Sequence, residues 1–162
     1  MRSKDENKDA AIREAAIAMI VKEGFHGFSM QKLAKAANIS PSTIYIYYNS
    51  KEDMLNKLFF YVDDIFNRET LKGFDQRMRF EEGLWLQWKN RYKYVLQYPL
   101  YFHFSEQFRH SPLIRHKDIK ENQFKTAMKE FVYHAVQRGD IADLPVEIFW
   151  SVAYGPFYTL LK

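Results

Sequence analysis

The chain has 162 residues, with 24 Lys plus Arg against 20 Asp plus Glu, a formal net charge of +4, and no Cys. That length holds one compact unit or two small domains, and the missing thiols exclude disulfide-stapled and Cys-ligated metal folds. Hydrophobic residues at 47% and aromatics at 17%, with a mean hydropathy of −0.46, provide for both a core and a charged surface, which excludes wholesale disorder.

Gly and Pro fall at the ends of periodic segments and not inside alternating runs, so the chain reads as all-α. A first helix is expected from about Asp9 to Glu23, where Ile12, Ala15, Ala16, Met19 and Ile20 share one face, with Gly24 as its stop. Ser29 can cap a short second helix burying Met30, Leu33, Ala34 and Ala37. Ala37 to Ser40 then makes a tight turn with Asn38 at positive φ. Ser40 caps a third helix with Pro41 at its first position and Ile44 and Tyr48 turned inward. Ser50-Lys51-Glu52-Asp53 resembles a capping box and opens a fourth helix carrying Met54, Leu55, Leu58, Phe59, Val62, Ile65 and Phe66. From Thr70 to Phe80 the pattern weakens around Gly73 and several charges, and a loop or domain boundary is expected there. A fifth helix is expected over about Glu81 to Gln97, a sixth over Leu100 to Arg109, and a seventh through Phe124, Ala127, Met128, Phe131, Val132 and Ala135 to Gly139. Asp143, with Pro145 just inside, starts an eighth.

Helices two and three on helix one make a helix-turn-helix, and the third, roughly 12 Å long at ~1.5 Å per residue, suits a major groove about 12 Å wide. Its outward residues are Ser42, Thr43, Tyr45, Ile46 and Tyr47, whose hydroxyls and one apolar group match phosphate oxygens, base edges and thymine methyls. Residues 1–51 hold eight basic against five acidic residues, an excess too small to identify a DNA binder by charge alone. No nucleophile and base pair, phosphate-cradling Gly-rich loop or zinc signature is present, so no enzyme and no cofactor is expected.

The stretch from Gly24-Phe25 through Ser29-Met30-Gln31-Lys32-Leu33-Ala34 to Ser42-Thr43-Ile44-Tyr45-Ile46-Tyr47-Tyr48-Asn49-Ser50-Lys51 resembles the DNA-binding domain of the TetR family of bacterial regulators, over about residues 9–59. It departs from the family pattern at Asn38 (usually Gly), Tyr48 (commonly Phe) and Pro41-Ser42 (frequently a Lys-Gly type pair). The resemblance implies that Thr43, Tyr45, Tyr47 and Lys51 touch phosphates, and that Gln31, Pro41, Ser42 and Ile46 vary with operator sequence. Gln31 is the preferred base reader, because an amide can pair bidentately with adenine. In this reading residues 1–50 form the DNA-binding domain, with Ser40 to Tyr47 in the groove, and residues 51–162 an effector-binding and dimerisation domain.

An aromatic-lined effector pocket is expected from some of Trp85, Trp88, Tyr92, Phe102, Phe108, Phe124, Met128, Phe131 and Tyr154. The family dimerises through its last two helices. This chain offers the first of them, with Ile148, Phe149, Val152, Phe157 and Leu160 as apolar candidates, so either a final helix lies outside these residues or the dimer is built differently. The expected partners are thus a double-stranded operator, a small-molecule effector and a second copy of the chain. Two other readings stand beside this one: a helical adaptor that docks a protein, and a metal sensor using His103, Glu106 and His110 at helical spacing. Apolar stretches shorter than the ~20 residues of a membrane span, and acidic residues within the first eight positions, point to a cytoplasmic protein without a membrane partner.

Overall fold

The computed structural model describes residues 2–109 and 123–161, and among them every regular element is helical. The order is α1 (Arg2–Gly27), α2 (Met30–Ala36), α3 (Pro41–Tyr47), α4 (Lys51–Thr70), α5 (Phe80–Gln97), α6 (Pro99–Arg109), α7 (Gln123–Gln137) and α8 (Val146–Leu160). α1 begins earlier than its apolar face suggests, because once the nucleus is made each added residue gains a backbone hydrogen bond. It is interrupted at Gly24 (φ 71°, ψ 172°), as the positive φ of a helix-ending glycine requires, and one more turn runs to Gly27. α8 starts after Pro145, with no side-chain cap, and not from Asp143.

Two compact units result among the described residues: 2–65 with 98–109, and 66–97 with 123–161. This grouping differs from a cut at residue 50. α6 packs along α1, so α1 is enclosed by α2 on one side and by α6 on another, which is why Ile17 is as buried as the expected Ile12, Ala16 and Ile20. The first unit closes on an aromatic cluster in which Phe108 stacks on Phe59 (4.5 Å between centroids) and meets Phe25 edge-on at 5.6 Å.

The second unit has its core in Phe124, Met128, Phe131, Phe149, Ala153 and Tyr154, contributed by α7 and α8. Two glycines and a proline lie inside its helices, contrary to the expectation that both residue types mark ends. Gly83 of α5 sits under the Phe131 ring, where an added Cβ would come within 2.4 Å of Phe131 Cε2. Pro156 interrupts the backbone ladder of α8 next to Gly155. The loop after α4 is tied to the end of α7 by Arg138, which donates to the Met78 carbonyl at 2.8 Å and to Asp140 at 3.0 Å.

Candidate nucleic-acid interface

The reading helix α3 is held by its caps and by one buried side chain. Ser29 Oγ accepts from the Lys32 amide at 3.2 Å and starts α2. α2 ends where Asn38 takes φ 53° and the Ile39 amide reaches back to the Ala34 carbonyl at 3.0 Å, so Asn38 holds the positive φ at the position where the resembled pattern usually has Gly. Ser40 Oγ accepts from the Thr43 amide at 3.2 Å and also meets Ser42 Oγ at 2.7 Å and Thr43 Oγ1 at 2.9 Å, a knot of hydroxyls at the first turn. Ile44 is fully buried and sets the rotation of the helix. Opposite it, Tyr45 is 51% and Ile46 76% exposed, and Gln31, Ser40, Pro41 and Ser42 are also exposed, with Thr43 and Tyr47 half-buried. Every expected contact residue is therefore on or near the surface.

Lys51 has a second task. Its ammonium donates to the carbonyls of Phe25 (3.0 Å) and Phe28 (2.8 Å), which fastens the start of α4 to the end of α1 and commits most of the donors expected to meet a phosphate. The capping box at Ser50 is real but shifted: Ser50 Oγ accepts from the Asp53 amide at 3.0 Å, while Asp53 Oδ2 accepts from the Asn49 amide at 2.8 Å. Asp53 also takes a bond from Lys57 at 2.9 Å, and Lys57 reaches the Tyr47 carbonyl at 3.0 Å, closing the last turn of α3. The Lys57 bond, with help from the Asn49 amide, holds the Asp53 carboxyl below its usual range.

Tyr48 carries a role that apolar periodicity alone does not reveal. Its phenol donates to Asp9 Oδ1 at 2.7 Å, the other oxygen of Asp9 accepts from Arg13 at 2.9 Å, and the Arg13 guanidinium lies 4.0 Å over the Tyr61 ring. Burial first, then the Asp9 carboxylate, keep this phenol protonated far beyond neutral pH. The same residues, with Tyr47 and Lys57, line a cavity of about 270 Å³ beside the end of α3. The signal was present in the sequence as a Tyr where the resembled pattern carries Phe.

The expected effector residues separate. Trp88, Phe124, Met128, Phe131 and Tyr154 come together in the second unit, with the Trp88 indole N–H on the Ala153 carbonyl at 2.8 Å. Phe108 and Phe102 belong to the first unit, Phe108 in the cluster with Phe25 and Phe59, because α6 packs on α1. Trp85 and Tyr92 face outward from α5. Of the dimerisation candidates, Ile148, Val152 and Leu160 are exposed, whereas Phe149 and Phe157 are buried in their own unit and unavailable to a second copy. On the metal reading, His103 is exposed and Glu106 half-buried, and His110 lies outside the described residues; no group of three metal-ligating side chains is found among those described.

A capped seven-residue helix, displayed by two supporting helices with its hydroxyl and apolar side chains outward, defines a helix-turn-helix DNA-binding protein. Residues 12–58 match the family of bacterial regulatory proteins described as tetR. A solved TetR family transcription regulator of Marinobacter aquaeolei is 30% identical with a TM-score of 0.77, over 99% of this chain and 85% of that one. An uncharacterised helix-turn-helix transcriptional regulator of Haemophilus influenzae is 29% identical over 88% of this chain and 75% of its own length. The Bacillus subtilis fatty acid metabolism regulator protein is 36% identical over 41% of this chain and 30% of its own length. The chain belongs to the TetR family and is a DNA-binding transcriptional regulator, not an enzyme. None of its described helices is long and apolar enough to cross a membrane.

Proposed function

We propose that the protein is a homodimeric one-component repressor that binds a roughly palindromic operator through α3 and leaves it when a small, largely apolar or aromatic effector enters the second unit. The observation that carries this reading is the outward display of Ser42, Thr43, Tyr45 and Ile46 while Ile44 is fully buried. Tyr45, Thr43 and Tyr47 act on phosphates, while Gln31, Ser42 and Ile46 read bases. The exposed face of α8 supports a second copy as partner: Leu160 is 81% exposed, and a Cβ added at Gly155 meets nothing within 4 Å, so packing within the chain does not demand the glycine. The apolar effector class is supported by the aromatic core around Trp88 and Tyr154 and by similarity to a regulator named for fatty acid metabolism.

Fluorescence anisotropy on the DNA upstream of its own gene, titrated with salt, tests the proposal. The expected result is a preference over random duplex that falls as salt rises, is weakened about tenfold or more by Tyr45→Ala, and shifts at one operator position in Gln31→Ala. Equal affinity for both duplexes defeats the operator reading.

A further inference from the structure

α5 buries Gln87, Asn90 and Arg91. Asn90 donates to the Thr70 and Lys72 carbonyls at 3.0 and 2.8 Å, and the Gln87 amide to Thr70 at 2.9 Å, so their burial is explained by closing the end of α4. Arg91 is not explained in this way. It is 3% exposed, and its guanidinium carbon lies 4.3 Å from the Tyr154 ring centre, 4.9 Å from Phe124, 5.0 Å from Phe66 and 6.0 Å from Tyr158. Its Nη1 donates to Tyr158 Oη at 2.7 Å, but Nε is buried with no acceptor, and no carboxylate among the described residues pairs with it. One turn earlier on the same face, Gln87 Oε1 is also buried without a donor.

Ring faces attract a cation but do not satisfy the in-plane N–H donors of a guanidinium. A buried charge left without a counter-ion is a persistent cost that a Leu or Met at the same place would avoid. We propose that Arg91 is the anchor of an effector site and takes the carboxylate of a monoanionic organic acid, whose acyl or aromatic body lies against Phe66, Phe124 and Tyr154. The planar fork of Arg matches a carboxylate in bidentate fashion, and a single guanidinium balances one negative charge, not the two of a phosphate monoester. Entry displaces the half-buried Tyr158 and Trp150; Trp150 stacks on Tyr154 at 4.8 Å, so its fluorescence reports occupancy. This inference rests on the reading of the second unit as the effector domain.

The experiment titrates the full chain with sodium decanoate, 1-decanol and decyltrimethylammonium, which share one apolar chain and differ in head group, and with 2-naphthoate against 2-naphthol as the aromatic arm. Binding is followed by tryptophan fluorescence and by calorimetry. The expected result is saturable binding of at least one carboxylate, about tenfold to a hundredfold tighter than its uncharged counterpart, as a charged hydrogen-bonded pair supplies, with the cationic amphiphile not competing. Arg91→Gln brings the carboxylate down to the affinity of the alcohol, and Arg91→Lys does not restore it. Equal binding of acid and alcohol, no binding of either acid, or full affinity in Arg91→Gln overturns the proposal. Should the variants fail to fold, the acid and alcohol comparison on the wild-type chain decides it alone. Operator binding is measured without any of these compounds, so loss of the DNA reading and loss of this one are separate results.

Discussion

At the scale of single residues, Tyr48 shows how one oxygen atom changes the construction of the head. A Phe there would fill the same space, but the phenol ties the end of α3 to Asp9 on α1 and through it to Arg13. Tyr48→Phe removes one hydrogen bond to a charged acceptor that keeps its Arg13 partner and some solvent contact, so a loss of about 1–2 kcal/mol in urea unfolding is expected; unchanged stability would show the bond to be idle. Asp53 gives a pH-dependent counterpart. Its carboxyl is held below the usual range, so its contribution is fully present above the unfolded pKa of about 4 and disappears as pH falls through the lower folded value. Asp53→Asn therefore costs up to about 1 kcal/mol at neutral pH, and the difference from wild type closes in denaturation curves taken near pH 2.

At the scale of elements, caps and turns were legible because their chemistry is local. Ser29, Asn38, Ser40 and Ser50 each do what their side chains favour wherever the neighbouring residues permit it. The burial of Ile44 and the exposure of Tyr45 and Ile46 likewise follow from helical spacing. What local pattern cannot show is which element lies against which. Ile17 and Phe108 are buried because α6 returns to α1, a contact between residues far apart in the chain. The same reason dispersed the aromatic residues expected in one pocket. Gly83 is a further case, since its role is to admit the Phe131 ring and only packing reveals that. Gly83→Ala pushes a methyl into that ring, and its overpacking cost of about 1–3 kcal/mol exceeds the helix-propensity gain of up to ~1 kcal/mol; a lower melting temperature is the expected reading, and a higher one would show that the ring can retreat.

At the scale of the whole molecule, the chain is interleaved: α6 falls in the first unit although α5 and α7, its neighbours in sequence, belong to the second, and α4 begins in one and finishes in the other. A division of the sequence into consecutive halves cannot express this, since composition changes gradually along α4 while packing changes within a turn. α4 is also closed at both extremities. Ser50 and Asp53 occupy its beginning, and the side-chain amides of Gln87 and Asn90 both donate to its final carbonyl, that of the fully buried Thr70. Helices ordinarily fray from their termini, and the first and last turns exchange their amide protons early. Deuterium uptake in this one should be slow from the first turn to the last, and faster uptake at the Thr70 end alone in Asn90→Ala would confirm what restrains it. A rod that does not unravel can pass a disturbance along its length, about 20 Å from Asp53 to Phe66 at ~1.5 Å per residue, only by tilting or sliding as one piece. In the proposed release of DNA by an effector, such a rod would serve as leverage, not as a melting element.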